Sequence, residues 1–81
     1  MEYKIKDFRN EGSNKHVGFD VTDDSGRHLF IEKDVTLSEG KTDEQYTQEA
    51  LALCQAEIDE WQLSFVNIGR IWNPNTNSFN D

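Results

Sequence analysis

The apolar residues of this chain keep two different periods, and the change between them falls near residue 40. Before it they alternate with polar residues at a spacing of two, and after it they recur every three or four positions. A spacing of two is the mark of a half-buried strand, and a spacing of three or four is that of an amphipathic helix, so the chain must put a sheet first and a helix second.

Three segments carry the first period. In EYKIKDFR, Tyr3 and Ile5 alternate with Lys4 and Lys6; in KHVGFDVTD, Val17, Phe19 and Val21 alternate with His16, Gly18 and Asp20; in RHLFIEKDV, Leu29 and Ile31 alternate with His28, Phe30 and Glu32. NEGSN and DDSG separate them as turns. A hairpin loop at Asp24-Ser25-Gly26, with the glycine left-handed, sets Val21 against Leu29 and Phe19 against Ile31. A loop over residues 10–14 then sets Ile5 against Phe19 and Tyr3 against Val21. One face of this meander is therefore Tyr3, Ile5, Val17, Phe19, Val21, Leu29 and Ile31. Slipping a strand by one residue would turn those side chains into water. Phe8 and Phe30 fall on the opposite face, with Lys4, Lys6, Gly18 and the two histidines.

The second period begins after TLSEGK. Thr42 followed by Gln45 forms a capping box, so a helix starts at Asp43. Leu51, Cys54, Ile58 and Trp61, flanked by Thr47, Ala50 and Phe65, make a stripe that can cover the apolar face of the sheet. The helix is expected to end near residues 61–64. FVNIGRIWN has strand composition, and NPNTN is a turn with Pro74 at its second position. A loop at residues 74–77 sets Trp72 across from Phe79 in a closing hairpin, which can fold over or beside the exposed sheet face. The expected class is α+β: a three-stranded antiparallel meander, one amphipathic helix on one face and a C-terminal strand or hairpin. Eighty-one residues make a single domain, 1–81.

Candidate chemistry is sparse. Asp23, Ser25, Gly26 and Glu32 occupy positions 3, 5, 6 and 12 of a calcium-binding loop, but position 1 would be Val21 and the flanks alternate as strands. A hairpin turn accounts for them. In the register above His16 lies beside Asp34 and His28 beside Thr22, which separates the histidines by about 20 Å and denies one ion both rings. Both imidazoles are expected to be half-exposed. Cys54, the one cysteine, lies on the helix stripe as a small buried residue, and no serine is joined to a histidine by spacing. No catalytic, metal or cofactor residue is expected.

Charge says more. The net charge is −8, and residues 42–81 carry seven acids against Arg70 alone. Such a field repels phosphate, which argues against direct nucleic-acid or anionic-membrane binding and for a partner protein with a basic surface. On the helix, Glu57, Asp59 and Glu60 crowd the negative end of the macrodipole, where each acid costs a few tenths of a kcal/mol. Held there, they suit a basic partner. Trp72 and Phe79 are the second candidate contact, since such aromatics concentrate in interfaces. Phe8 and Phe30 on the outer sheet face leave a homodimer open. No apolar run approaches the roughly 20 residues of a membrane span, and MEYKIKDF lacks a signal-peptide core, so a cytoplasmic protein is expected.

KTDEQYTQEALALCQAEIDEWQ, followed by IGRIWNPNTNSF, resembles small acidic bacteriophage and prophage proteins, many without assigned function. More loosely, an acidic helix, EWQ and a strand are similar to small phage inhibitors of host RNA polymerase. The ending W-N-P-x-T-x-x-F is similar to sequences closing short phage tail and tail-assembly proteins. The resemblance implies a non-enzymatic protein that binds another protein, an accessory of virion assembly. Its alternative is an acidic charge mimic that inhibits a host nucleic-acid enzyme such as RNA polymerase or a nuclease.

Overall fold

The computed structural model describes residues 1–81. The element order is β1 (Glu2–Glu11), β2 (Asn14–Thr22), β3 (His28–Thr36), α1 (Asp43–Leu63), β4 (Trp72–Asn73) and β5 (Ser78–Phe79). Strands β1, β2 and β3 form one antiparallel sheet in that order, and β4 and β5 form a separate pair. The fold is α+β, as the change of period requires.

The expected registers hold. Tyr3 faces Val21, Ile5 faces Phe19, Val21 faces Leu29 and Phe19 faces Ile31. The β1–β2 connection is nevertheless shorter than residues 10–14, because Gly12 and Ser13 alone make the turn, with Gly12 at φ 60°. A bulge at Lys6, between Ile5 and Asp7, absorbs the difference. Beyond the bulge the strand is turned over, as one extra residue in a period-two element must do. Asp7 pairs with Gly18 and Phe8 with Val17, so Phe8 packs against the core and not on the outer face.

Helix α1 starts with the capping box: Gln45 N donates to Thr42 Oγ1 and Thr42 N donates to Gln45 Oε1. Such a cap stabilises the helix by about 1 kcal/mol. Its buried face is Tyr46, Ala50, Cys54 and Ile58, a run at intervals of four, with Leu51 and Trp61 packed alongside. Tyr46 joins the expected stripe because its hydroxyl is satisfied, donating to Ser38 O and accepting from Ser38 N. The helix lies over β3 and β2 and does not reach β1. The core is accordingly Val17, Phe19, Val21, Ile31 and Val35 beneath the helix residues, while Tyr3 and Ile5 stay about 40% exposed (40% and 41%).

The C-terminal segment departs most from expectation. Residues 65–71 are not a strand. Phe65 N donates to Gln62 O, Val66 N to Leu63 O, Ile68 N to Phe65 O and Arg70 N to Asn67 O, a succession of i to i+3 turns, with Gly69 at φ 89°. The hairpin that follows has the expected register, Trp72 opposite Phe79, but it contacts neither sheet nor helix. The aromatic rings meet edge to face at 5.1 Å, and Arg70 lies 3.6 Å from the Phe79 ring centroid while its Nε donates to Asp81. The hairpin thus forms the end of an arm, and the molecule measures 61 × 21 × 16 Å.

Candidate functional site

Two regions hold side chains whose arrangement local folding does not explain: the outer face of the sheet around His16, and the C-terminal arm.

On the outer face the bulge decides the composition. An unbroken β1 would have placed Lys6 beside Gly18, whereas the bulged strand places Asp7 there. Gly18 pairs on its other side with Glu32, and the adjacent row is Arg9, His16 and Asp34. Gly18 has no side chain, and a Cβ there would come within 3.1 Å of Asp7 Cβ and 3.6 Å of Glu32 Cγ. Into the space beside it points His16 Nε2, 3.8 Å from Asp7 Oδ2 and 3.5 Å from Glu32 Oε2.

His16 is not the half-exposed ring expected; its side chain is 13% exposed. Its Nδ1 donates to Asp34 Oδ1 at 2.7 Å, and its Nε2 is buried without a hydrogen-bond partner. The bond to Asp34 raises the His16 pKa; burial and the Arg9 guanidinium oppose that rise, and Glu32 adds to it. Arg9 pairs with Asp7 and, at 2.8 Å, with Glu11. His28 is as expected: half-exposed, facing Thr22, bonded to Asp20 at 2.9 Å and stacked on Phe30. With Phe8 turned inward, Phe30 is the one phenylalanine left on this face.

The expected acidic ridge is largely engaged. Glu57 pairs with Lys33 of β3, and this hydrogen bond raises the Lys33 pKa. Asp59 accepts from Gln55 at 2.9 Å. Glu60 is exposed. Cys54 is buried, and burial pushes its thiol pKa up, the opposite of what a nucleophilic cysteine needs.

The arm carries the apolar surface. Leu63, Val66, Ile68, Ile71 and Trp72 are each more than half exposed, from 52% to 69%. Its root is fixed to the body at the β2–β3 turn, where Asp23 acts as a knot. The Asp23 carboxylate accepts from Ser25 N, Arg27 N, Arg27 Nε and Gln62 Nε2, all at 2.7–3.1 Å. Burial alone would raise its pKa, but the bonds from Gln62, Arg27 and Ser25 outweigh it and hold the carboxyl well below the usual range. Arg27 also stacks 3.7 Å from the Phe65 ring centroid, and Trp61 meets Phe65 edge to face. Of the residues that suggested a calcium loop, Asp23, Ser25 and Gly26 serve this turn, with Gly26 at φ 84° and its N donating to Asp23 O, while Glu32 lies away from it on β3.

No protein-family model, curated protein or solved structure matches the chain. No helix is long and apolar enough to cross a membrane. The two surface depressions, one at the first turns of α1 and one between α1 and β3, are wide open to solvent.

The sequence reading singles out Trp72 and Phe79 from the arm. It misses Val66, Ile68 and Ile71 because their composition suits a buried strand, Leu63 because it closes helix α1, and Asp7 because the bulge is not recognised. A signal for the bulge was present. Ile5 and Phe8 are three apart in a segment that otherwise alternates by two.

Proposed function

We propose that this chain is a non-enzymatic, phage-type accessory protein that binds another protein through its C-terminal arm. The observation that carries the reading is the row of exposed apolar side chains from Leu63 to Trp72. Burying a large aliphatic side chain is worth about 1.5–3 kcal/mol, and small monomers rarely leave a continuous apolar surface uncovered. The arm is also ordered within itself by the Trp72–Phe79 contact and the Arg70–Asp81 pair, which lowers the entropy cost of docking. Its partner is an apolar groove with basic margins, because the arm leaves an acid-only helix whose last turns present Asp59 and Glu60. Virion assembly is the setting that the phage resemblance suggests. The alternative, a charge mimic acting on a host polymerase or nuclease, draws on the same helix but has less free charge to use, since Glu57 is tied to Lys33.

Affinity capture from phage-infected bacterial lysate, comparing the native chain with an Ile68→Asp/Trp72→Ala variant, tests this reading. A phage structural protein retained by the native chain and lost by the variant supports it. Polymerase or nuclease subunits retained equally by both would transfer the function to the acidic helix. Sedimentation equilibrium showing a dimer of the native chain and a monomer of the variant would make a second copy the arm's partner.

A further inference from the structure

We propose that Asp7, His16 and Glu32, brought together on the outer face of the sheet, form a binding site for one divalent transition-metal ion, with Asp34 as a positioning residue for His16. The inference is independent of the arm.

The first ground is the state of His16 Nε2. Asp34 is an acceptor, so the 2.7 Å bond assigns the Nδ1 proton to it and leaves Nε2 of the neutral ring as a lone pair. That lone pair is buried and faces Asp7 Oδ2 and Glu32 Oε2, two further acceptors. Three acceptors gathered at one point favour a cation between them, and of the three only Asp7 Oδ2 already has a cationic partner, the Arg9 guanidinium. A proton on Nε2 is the competing occupant, but it satisfies only one line of contact, and at 3.5 and 3.8 Å neither carboxylate is within ordinary hydrogen-bonding distance.

The second ground is spacing. Zinc holds imidazole nitrogen at about 2.0–2.1 Å and carboxylate oxygen at about 2.0–2.2 Å, so two ligand atoms on one tetrahedral ion stand about 3.4 Å apart. Nε2 to Glu32 is 3.5 Å, Nε2 to Asp7 is 3.8 Å, and the three ligand atoms all lie within 4.8 Å of one another. The separations match a shared ion better than a hydrogen-bonded set, and the exposed Glu32 side chain supplies the remaining adjustment.

The third ground is the surrounding structure. A ligating histidine characteristically donates its other ring nitrogen to a carboxylate, which fixes tautomer and ring orientation. Asp34 does this for His16. Arg9 pairs with Asp7 and Glu11, while Glu32 and Asp34 have no ion-pair partner other than His16, an excess of negative charge that a divalent ion lowers. Arg9 has Glu11 to hold it when Asp7 turns to the ion. Gly18 keeps the space open, since a side chain there would press on Asp7. One imidazole with two carboxylates suits zinc or another first-row divalent ion better than a purely oxygen-ligated calcium ion.

Calorimetric titration of the full chain with zinc chloride at pH 7.5, followed by imidazole nitrogen NMR, tests the site. The expected result is one ion per chain, with the His16 Nε2 resonance shifted and that of His28 unmoved. His16→Gln should abolish binding. Glu32→Gln, at an exposed position, serves as the second variant should His16→Gln fail to fold, and it should also abolish or greatly weaken binding. Asp34→Asn should keep the stoichiometry and weaken affinity by about 10- to 100-fold, as loss of an outer-shell partner does. Absence of binding at millimolar zinc, or binding that Glu32→Gln leaves unchanged, would overturn the proposal and leave a proton as the occupant of Nε2.

Discussion

The sheet–helix body and the C-terminal arm are built from similar residues and treat them oppositely. In the body, Phe19, Val17, Val21 and Ile58 are almost entirely buried, each on an element that meets a second element. In the arm, Ile68, Ile71 and Val66 lie on turns that meet nothing, and each stays more than 60% exposed. Composition is thus not what separates core from surface here. The body offers two faces that can close on each other. The arm, anchored at its root by Asp23, has beyond that only its own hairpin.

The strongest way to break this contrast is to truncate one side chain on each side of it. Ile58→Ala should destabilise the chain by about 2–5 kcal/mol through lost burial and a residual cavity, whereas Ile68→Ala should stay within about 0.5 kcal/mol. Urea unfolding measures both. Equal costs would mean that the arm is covered in solution.

Cys54→Ser sharpens the comparison inside the body. It places a hydroxyl where the structure offers a wholly buried apolar site, at a cost of about 1–3 kcal/mol. The native thiol should correspondingly label slowly with a thiol reagent until denaturant is added. Rapid labelling of the folded chain would contradict the helix orientation.

Acid should loosen the junction between the two regions. The folded-state pKa of Asp23 lies below its unfolded value, so the stability it contributes is fully present above the unfolded pKa of about 3.9 and is lost as the pH falls toward the folded value. A pH series of thermal melts should therefore show a decline at low pH that Asp23→Asn flattens, with the variant less stable than the native chain at neutral pH. An identical acid limb in both would remove Asp23 from the junction.

Smaller effects belong to the arm and to the helix end beside it. Phe79→Ala should cost the hairpin up to about 1 kcal/mol, visible in amide exchange of residues 71–80 and absent from the global melt. Asp59→Lys/Glu60→Lys should raise stability by a few tenths of a kcal/mol by relieving the macrodipole, while slowing association with a basic partner at low salt. Glu57 belongs outside that variant because it holds Lys33.

Much of the body was legible from the change of period. The strand registers, the capping box and the buried Cys54 all follow from alternation and spacing, because a slipped strand or a rotated helix would expose apolar side chains to water. The expected β1–β2 loop was longer than the two-residue turn, yet Ile5 still met Phe19. A shorter turn and a one-residue bulge shift the register in opposite senses and cancel. Beyond the bulge they do not cancel, which is why Phe8 moved inward and Asp7 reached Gly18. The arm's hairpin was legible, with Trp72 opposite Phe79, but residues 65–71 were not, for a different reason. FVNIGRIWN has the composition of a strand, but residues 65–71 pair with neither free edge of the sheet, β1 or β3. Local i to i+3 bonds prevail there instead.

The length of the arm also governs how the chain moves through solvent. A compact fold of this size has a radius of gyration of about 12 Å, whereas this one has 17.8 Å. Friction grows with the long dimension, so a 9.4 kDa monomer 61 Å long diffuses slowly and emerges from a sizing column ahead of its mass. An early elution peak is therefore the expected behaviour of the single chain, and a partner that folds the arm against itself would make the complex run smaller than the sum of its parts.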